Sequence, residues 1–131
     1  MIVVDTSAWG AFFNGDESPI ANRLAAALEA GEPVAIIPVI VTETLQGFKT
    51  EAGFRSALAL LARLPLLDPS FDTHVRAAKL YRSLRRKGVT IRGTIDCLIA
   101  TACIDSNAGL LTLDKDFRLI AEHSALELVR F

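Results

Sequence analysis

Short apolar runs that alternate with helical patterns constrain the fold of this 131-residue chain more than any other feature. Three of them, Ile2–Val4, Val34–Ile37 and Leu110–Leu113, are typical of parallel strands that are covered on both faces. Leu66–Leu67 and Leu126–Val129 are further candidate strands. Strands that alternate with helices predict an α/β fold, here a three-layer sandwich in which helices flank a central, mainly parallel sheet.

Helical patterns separate these runs. Ser18 is typical of a residue that begins a helix, and Gly31 of one that ends it. Thr94 is expected to cap a helix that is apolar nearly all round and therefore buried. That helix is predicted to cover Ile95–Asn107. The other helices are predicted to begin at Thr6–Ser7 and to cover Val39–Phe48, Phe54–Leu64, Asp72–Lys87 and Lys115–Glu122. The length predicts a single domain over residues 1–131.

The apolar content predicts a heavily buried interior rather than a membrane span. Hydrophobic residues make up 51% of the chain, but the longest apolar stretch, Val34–Val41, is short and contains Pro38. A membrane helix needs roughly 20 apolar residues. The sequence starts directly with MIVVD and shows no basic leader, so we expect a cytoplasmic protein. Cys97 and Cys103 are interpreted as small buried hydrophobes.

Several carboxylates adjoin or interrupt apolar sequence. They are Asp5, Glu43, Asp96, Asp114 and Asp116. A carboxylate withdrawn from water needs a partner, because desolvating its charge costs several kcal/mol. The chain has no equally embedded set of Lys or Arg, and a hard divalent cation is the economical partner for converging acids. The pattern therefore indicates a metal site.

The predicted topology brings these acids to one edge of the sheet. Sites in open α/β sheets form beyond the carboxyl ends of the strands, where Asp5 and Asp114 follow their strands. Asp96 lies in the first turn of the buried helix, where the helix dipole favours an anion. Glu43 lies early in the helix after the second strand, and Asp116 is close enough to Asp114 to reach the same rim.

Each acid also has a simpler explanation. Asp5 and Asp114 are good helix caps, with Asp116 as a first-turn companion. Glu43 is equally typical of a solvated helix residue, and Asp96 of a partner for the helix dipole. The occurrence of all of them at one edge favours a site, and a set of carboxylates suits Mg²⁺ or Mn²⁺ and the hydrolysis of phosphodiesters.

Basic residues are concentrated in one stretch. Half of the 14 Lys and Arg residues lie between Asp72 and Asp96, and no acid lies between those two positions. Such a stretch fits a phosphate-bearing substrate, although a solvated helix face has the same pattern. The candidates for contact with RNA or a protein partner are Arg76, Lys79, Arg82, Arg86 and Arg92.

Three segments together resemble the PIN-domain ribonucleases, and specifically the VapC toxins of toxin–antitoxin pairs. The segments are VVDTSAW, TETLQG and TIDCLIATACIDSNAGLLTLDKDF, of which the last is the most specific. The resemblance covers essentially the whole chain. Thr44 departs from the family pattern, because it stands where an apolar residue is expected.

The resemblance implies Mg²⁺- or Mn²⁺-dependent endonucleolytic cleavage of RNA. Asp5 and Asp96 would hold the principal metal ion, and Asp114 and Asp116 would bind it through water or hold a second ion. Glu43 would orient or deprotonate the attacking water. Thr6 and Thr112 would be supporting hydroxyls beside Asp5 and Asp114. The resemblance also implies a homodimer and an inhibitory VapB-type antitoxin.

Other functions stay open on the sequence. A phosphatase or phosphotransferase would also use an aspartate at a strand end, although VVDTSAW lacks the second aspartate of the haloacid-dehalogenase-like enzymes. A PIN-like module that binds RNA or protein without cutting is a second alternative. A PIN nuclease that matures RNA, rather than a toxin, is a third.

Overall fold

The computed structural model describes residues 1–131 as alternating strands and helices. The elements in chain order are β1 (Ile2–Val4), α1 (Thr6–Phe13), α2 (Pro19–Glu29), β2 (Val34–Ala35), α3 (Pro38–Leu45), α4 (Glu51–Leu61), α5 (Phe71–Arg86), α6 (Thr94–Asp105), β3 (Gly109–Leu111) and α7 (Lys115–Glu122). The predicted α/β class is confirmed.

The sheet is parallel, with β1 between β2 and β3. Ile2 pairs with Val34 on one side, and Val3 pairs with Leu110 on the other. The middle strand is buried, because the side chains of Val3 and Val4 are 0% exposed. This order sends the carboxyl ends of all three strands to one edge of the sheet.

Two of the predicted strands are wrong as strands. Leu66 and Leu128 each make only one isolated parallel bridge, to Ile36 and Leu110. Both bridges lie at the outer margins of the sheet, and Leu66 is 56% exposed. Short segments of this kind have neighbours on one side only, so little buried contact holds them in a longer ladder.

Several helix boundaries also differ from the prediction. The helix α4 begins earlier than expected because Thr50 caps it, accepting a hydrogen bond from the Gly53 N–H at 3.1 Å. Thr94 does not cap α6. It is the first helical residue, and Gly93 occupies the capping position without a side chain to contribute. Ser18 caps α2 as predicted.

The helix α6 is buried on most of its surface, as the sequence predicted. Cys97 and Cys103 lie inside it as free thiols, and burial raises their pKa values to about 11 and about 12. Both thiols are therefore neutral and act as small apolar side chains. No helix has the length and apolar character that crossing a membrane requires.

The helices α5 and α6 form an antiparallel pair that positions the basic stretch. Near the start of α5, Thr73 and Arg76 both bond Asp105 at the end of α6. Near the other end, Tyr81 and Arg82 line a cavity together with residues at the start of α6. The C-terminal half of α5 therefore lies beside the N-terminus of α6, which carries Asp96.

Candidate active site

Asp5 follows β1 and is 6% exposed. It occupies the capping position of α1, but its side chain accepts no hydrogen bond from a backbone N–H of that helix. Instead, Oδ2 accepts hydrogen bonds from Ser7 Oγ and Thr112 Oγ1, both at 2.9 Å. The explanation of Asp5 as a helix cap is therefore wrong. The two hydroxyls fix the carboxylate and leave Oδ1 without a protein donor.

Thr112 connects Asp5 with the loop that carries Asp114. Its Oγ1 donates to Asp5 and accepts the backbone N–H of Asp114 at 3.0 Å. Ser7 makes the parallel connection, because its Oγ accepts the Leu113 N–H at 3.0 Å. Ser7 was not among the predicted site residues, although its position two residues after Asp5 indicates a hydroxyl close to that carboxylate.

Glu43 lies in α3 and is partly buried. Its Oε1 accepts a hydrogen bond from Thr6 Oγ1 at 3.1 Å. Thr6 was predicted to be a supporting hydroxyl beside Asp5, and this hydroxyl bonds Glu43. Thr44, next along the helix, is buried and its hydroxyl has no hydrogen-bond partner. It occupies an apolar position, as the departure from the family pattern implies.

Asp114 and Asp116 lie at the start of α7. Asp114 caps this helix, because its Oδ1 accepts the Asp116 N–H at 2.9 Å, so the simpler explanation of Asp114 holds for that oxygen. Asp116 is 5% exposed and lies 3.5 Å from Arg92 Nε. Among the five acids it is the only one in a salt bridge.

Asp96 lies in the first turn of α6 and makes no hydrogen bond through its side chain. Burial raises the pKa of this carboxyl to about 6, and the negative charges of Asp114, Asp5, Asp116 and Glu43 raise it further. All four acids therefore act on Asp96. Their charges are therefore near enough to act on one carboxyl, while a shared metal site stays a prediction.

A cation held by these acids would need water among its ligands. No group of three His, Cys, Asp or Glu side chains is close enough to coordinate one ion directly. Mg²⁺ is commonly bound through one or two carboxylates and keeps several waters. The donors here are all oxygen atoms, and Asp5, Glu43, Asp96 and Asp114 have no cationic side chain within salt-bridge distance. These residues fit such an ion.

The basic stretch is divided between two ends of α5. Arg76 is bound to Asp72 and Asp105, so its guanidinium connects α5 with α6. Arg82, Arg85 and Arg86 instead line an open depression of about 330 Å³ near the other end. Arg85 was not among the residues predicted to contact RNA or a partner. Its guanidinium lies 5.9 Å from the centre of the Tyr81 ring.

Comparisons with known proteins identify the family of this chain. The model of the PIN domain family matches residues 2–123. Ribonuclease VapC11 of Mycobacterium tuberculosis is 34% identical over 133 aligned positions, which cover 100% of this chain and 99% of the relative. A VapC ribonuclease of Mycobacterium bovis is similar to the same extent.

The fold is also similar to solved structures. VapBC2 from Rickettsia felis, bound to a DNA fragment from the promoter, matches with a TM-score of 0.77 and 26% identity, covering 100% of this chain and 99% of that chain. VapBC-5 from Mycobacterium tuberculosis has the same fold, with a TM-score of 0.70, 23% identity, and 99% and 98% of the two chains covered. The chain therefore belongs to the PIN-domain family and, within it, to the VapC ribonucleases.

Proposed function

We propose that this protein is a Mg²⁺- or Mn²⁺-dependent endoribonuclease and the toxin of a toxin–antitoxin pair. Membership of the PIN ribonuclease family implies the use of a divalent metal. The observation that carries the proposal is the field around Asp96, where four further carboxylates act on one half-buried acid that has no cationic partner. A divalent cation neutralises such a field, and RNA supplies the phosphodiester that the cation would polarise.

In this proposal Asp5 and Asp96 would hold the principal ion, with Asp114 and Asp116 as further acids that would support it. The free Oδ1 of Asp5 supports this role, because Ser7 and Thr112 occupy only Oδ2. When bound, the metal ion lowers the pKa of a coordinated water and stabilises the leaving oxygen.

Glu43 acts on the attacking water in this proposal. Thr6 holds one of its oxygens at 3.1 Å, which restricts the orientation of the carboxylate. The second oxygen has no protein donor and can accept a proton from water or orient it. Neither His74 nor His123 has a hydrogen bond to any of the five acids, so the carboxylates are the bases that the site offers.

The RNA backbone is proposed to cross the C-terminal end of α5. Arg82, Arg85 and Arg86 line one depression there, and Arg92 is 76% exposed through its side chain beside Asp116. Lys79 is exposed on the same helix and has no salt bridge. Arginine side chains in such a surface neutralise phosphates without reading the sequence.

We further propose a VapB-type antitoxin as the partner, a homodimer as the assembly, and the cytoplasm as the location. Support for the antitoxin comes from a solved neighbour, since VapBC-5 of Mycobacterium tuberculosis is a member of the VapBC family of toxin–antitoxin systems.

The proposal is tested by cleavage of single-stranded RNA with Mg²⁺, with Mn²⁺ and with EDTA. The wild-type protein should cut only with a divalent ion, and Asp5→Asn should lower the rate by 100-fold or more, since removing a group that stabilises the transition-state charge costs about 10²–10³. Asn keeps the shape of the buried side chain, so circular dichroism should be unchanged. RNA binding without cleavage by the wild type would favour the non-catalytic module instead.

A further inference from the structure

A small cavity adjoins the candidate active site on the side of α1 and α3. Its volume is about 190 Å³, and its lining includes Thr6, Gly10, Phe13, Asn14, Glu43 and Phe48. Two of these residues, Thr6 and Glu43, are the hydrogen-bonded pair of the active site. The cavity is therefore continuous with the group proposed to act on the attacking water.

Aromatic rings form the apolar wall of this cavity. The rings of Phe13 and Phe48 lie 5.4 Å apart between centroids, at an interplanar angle of 72°. Phe13 is held in turn by the fully buried Trp9, whose ring stacks on it at 5.5 Å. Rings that are fixed from behind in this way offer a stable face to a planar ligand.

Gly10 keeps the cavity open. It lies inside α1, where glycine is among the least favourable residues, and its backbone conformation does not require glycine. A Cβ atom placed on Gly10 would meet no atom within 4 Å, because it would extend into open space. A side chain at this position would thus occupy the cavity without displacing the backbone.

The size and polarity of the cavity indicate a single flat, polar ring. Pockets for drug-sized ligands are usually about 300–1,000 Å³, so this volume suits a smaller group. Asn14 at the rim carries both a donor and an acceptor, and the hydroxyl of Thr6 and the carboxylate of Glu43 add polar atoms. Nucleobases combine a stacking face with a hydrogen-bonding edge.

We propose that this cavity binds one unstacked nucleobase of the RNA, next to the phosphodiester that is cut. The inference rests on the proposed function and adds to it the recognition of a base. Proteins read single-stranded RNA by stacking its bases on aromatic side chains and bonding their edges. Phe13 and Phe48 supply the stacking face, and Asn14 reads the edge.

The test uses one RNA oligonucleotide cut by the wild type and two derivatives, with an abasic residue on the 5′ or 3′ side of the cut. One derivative should be cut more slowly by the wild type, by about 5- to 150-fold, since stacking a base on an aromatic ring contributes about 1–3 kcal/mol. Gly10→Leu should cut the intact RNA as slowly as the wild type cuts that derivative. It should cut the derivative at the same rate as the wild type cuts the derivative.

Matched controls separate this result from a general loss of function. Ala26→Leu adds the same side chain to an exposed position of α2 and should preserve the preference for the intact RNA. Asn14→Ala, which removes the group that reads the base edge, should change which base is preferred. Gly10→Ala, which adds less volume in the same open space, should have an intermediate effect and guards against misfolding of the Leu variant.

Two results would overturn the inference without touching the proposed function. In the first, wild-type enzyme cuts all three RNAs at one rate. In the second, Gly10→Leu distinguishes intact from abasic RNA as the wild type does but binds the antitoxin more weakly, which would assign the cavity to that partner. A wild-type protein that cuts no RNA with Mg²⁺ or Mn²⁺ would overturn the proposed function as well.

Discussion

At the scale of single residues, one carboxylate of the site, Asp96, lies in a position that is poor for stability. Asp96 is half-buried, has no hydrogen bond and is surrounded by like charges, which raise its pKa in the absence of metal. Structural acids in this protein behave differently. The Arg76 guanidinium lowers the pKa of Asp105, for example, because the two groups form an ion pair. Destabilising acids are typical of functional sites, where a ligand supplies the missing partner.

The raised pKa of Asp96 predicts a pH-dependent stability of the metal-free protein. The folded pKa is about 6, whereas the ordinary value is 3.8, so the native state binds more protons than the unfolded state between these values. The contribution of Asp96 to the free energy of unfolding should therefore fall as pH rises through this window. At neutral pH Asp96→Asn should be more stable than wild type by about 1–2 kcal/mol, after solvent screening is allowed for.

Urea unfolding in EDTA at several pH values measures this difference. Comparing the variant with the wild type cancels the groups that both share, such as Asp105 and Glu32, whose lowered pKa values act in the opposite direction. Adding Mg²⁺ should stabilise the wild type more than the variant, since a ligand stabilises the state that binds it. Equal stability of the two proteins at neutral pH would contradict the electrostatic account.

At the scale of elements, α5 has two ends with different tasks. Its N-terminal half is tied to α6 through Thr73, Arg76 and Asp105, and Ser70 caps it in a reciprocal capping box with Thr73. Its C-terminal half carries Arg82, Arg85 and Arg86 in one depression. Since the two helices run antiparallel, the anchored end of α5 lies beside the end of α6, and the arginine-lined end lies beside the start of α6.

Charge reversal at the two ends should therefore have different effects. The double variant Arg82→Glu with Arg86→Glu should weaken RNA binding strongly at low salt, while its melting temperature stays close to that of the wild type. The slope of log K against log salt is negative, and each lost phosphate contact with a single strand reduces its magnitude by about 0.7, so the magnitude should fall by about 1.4. A salt titration of RNA binding measures it.

Arg76→Gln is the matched control for that experiment. This change should lower the melting temperature, because Asp72 and Asp105 both lose the guanidinium that forms an ion pair with them. It should leave the salt slope of RNA binding unchanged. If Arg76→Gln reduced the slope as much as the double variant, RNA would contact the whole length of α5 rather than its C-terminal end.

At the scale of the whole molecule, a parallel sheet places separate segments at one edge. The five acids lie on segments that are far apart in sequence, yet the charges of the other four raise the pKa of Asp96. The C-terminal half of α5 lies beside the start of α6, and Glu43 lines the aromatic cavity. This arrangement fits a nuclease that binds both the backbone of RNA and one of its bases.

Expression of the protein in bacteria should arrest growth if it is a toxin. Co-expression of the gene product encoded immediately upstream should relieve the arrest, and Asp5→Asn should cause no arrest while still binding that product in a pull-down. Measuring growth with and without the neighbour distinguishes a toxin from an RNA-maturation nuclease, which should be tolerated on its own.

Much of the fold was predictable from local sequence. The strand β1, the buried helix α6 and the caps of α2 follow from apolar runs and capping residues, which act over a few neighbouring positions. The edge segments around Leu66 and Leu128 were not, because whether such a run forms a ladder depends on contacts made across the sheet. The family and the five acids were also readable in VVDTSAW, TETLQG, TIDCLIATA and TLDKDF.

The partners of those residues were decided by the tertiary structure alone. Thr6 bonds Glu43 rather than Asp5, Arg76 binds Asp105 while Arg82 does not, and the glycine and phenylalanine side of α1 encloses a cavity with α3. Hydrogen bonds and ion pairs act over a few ångströms between segments that are distant along the chain. The sequence by itself thus determined the family, the residue types and most of the elements. Only the packing of the helices on the sheet determined which side chains contact one another.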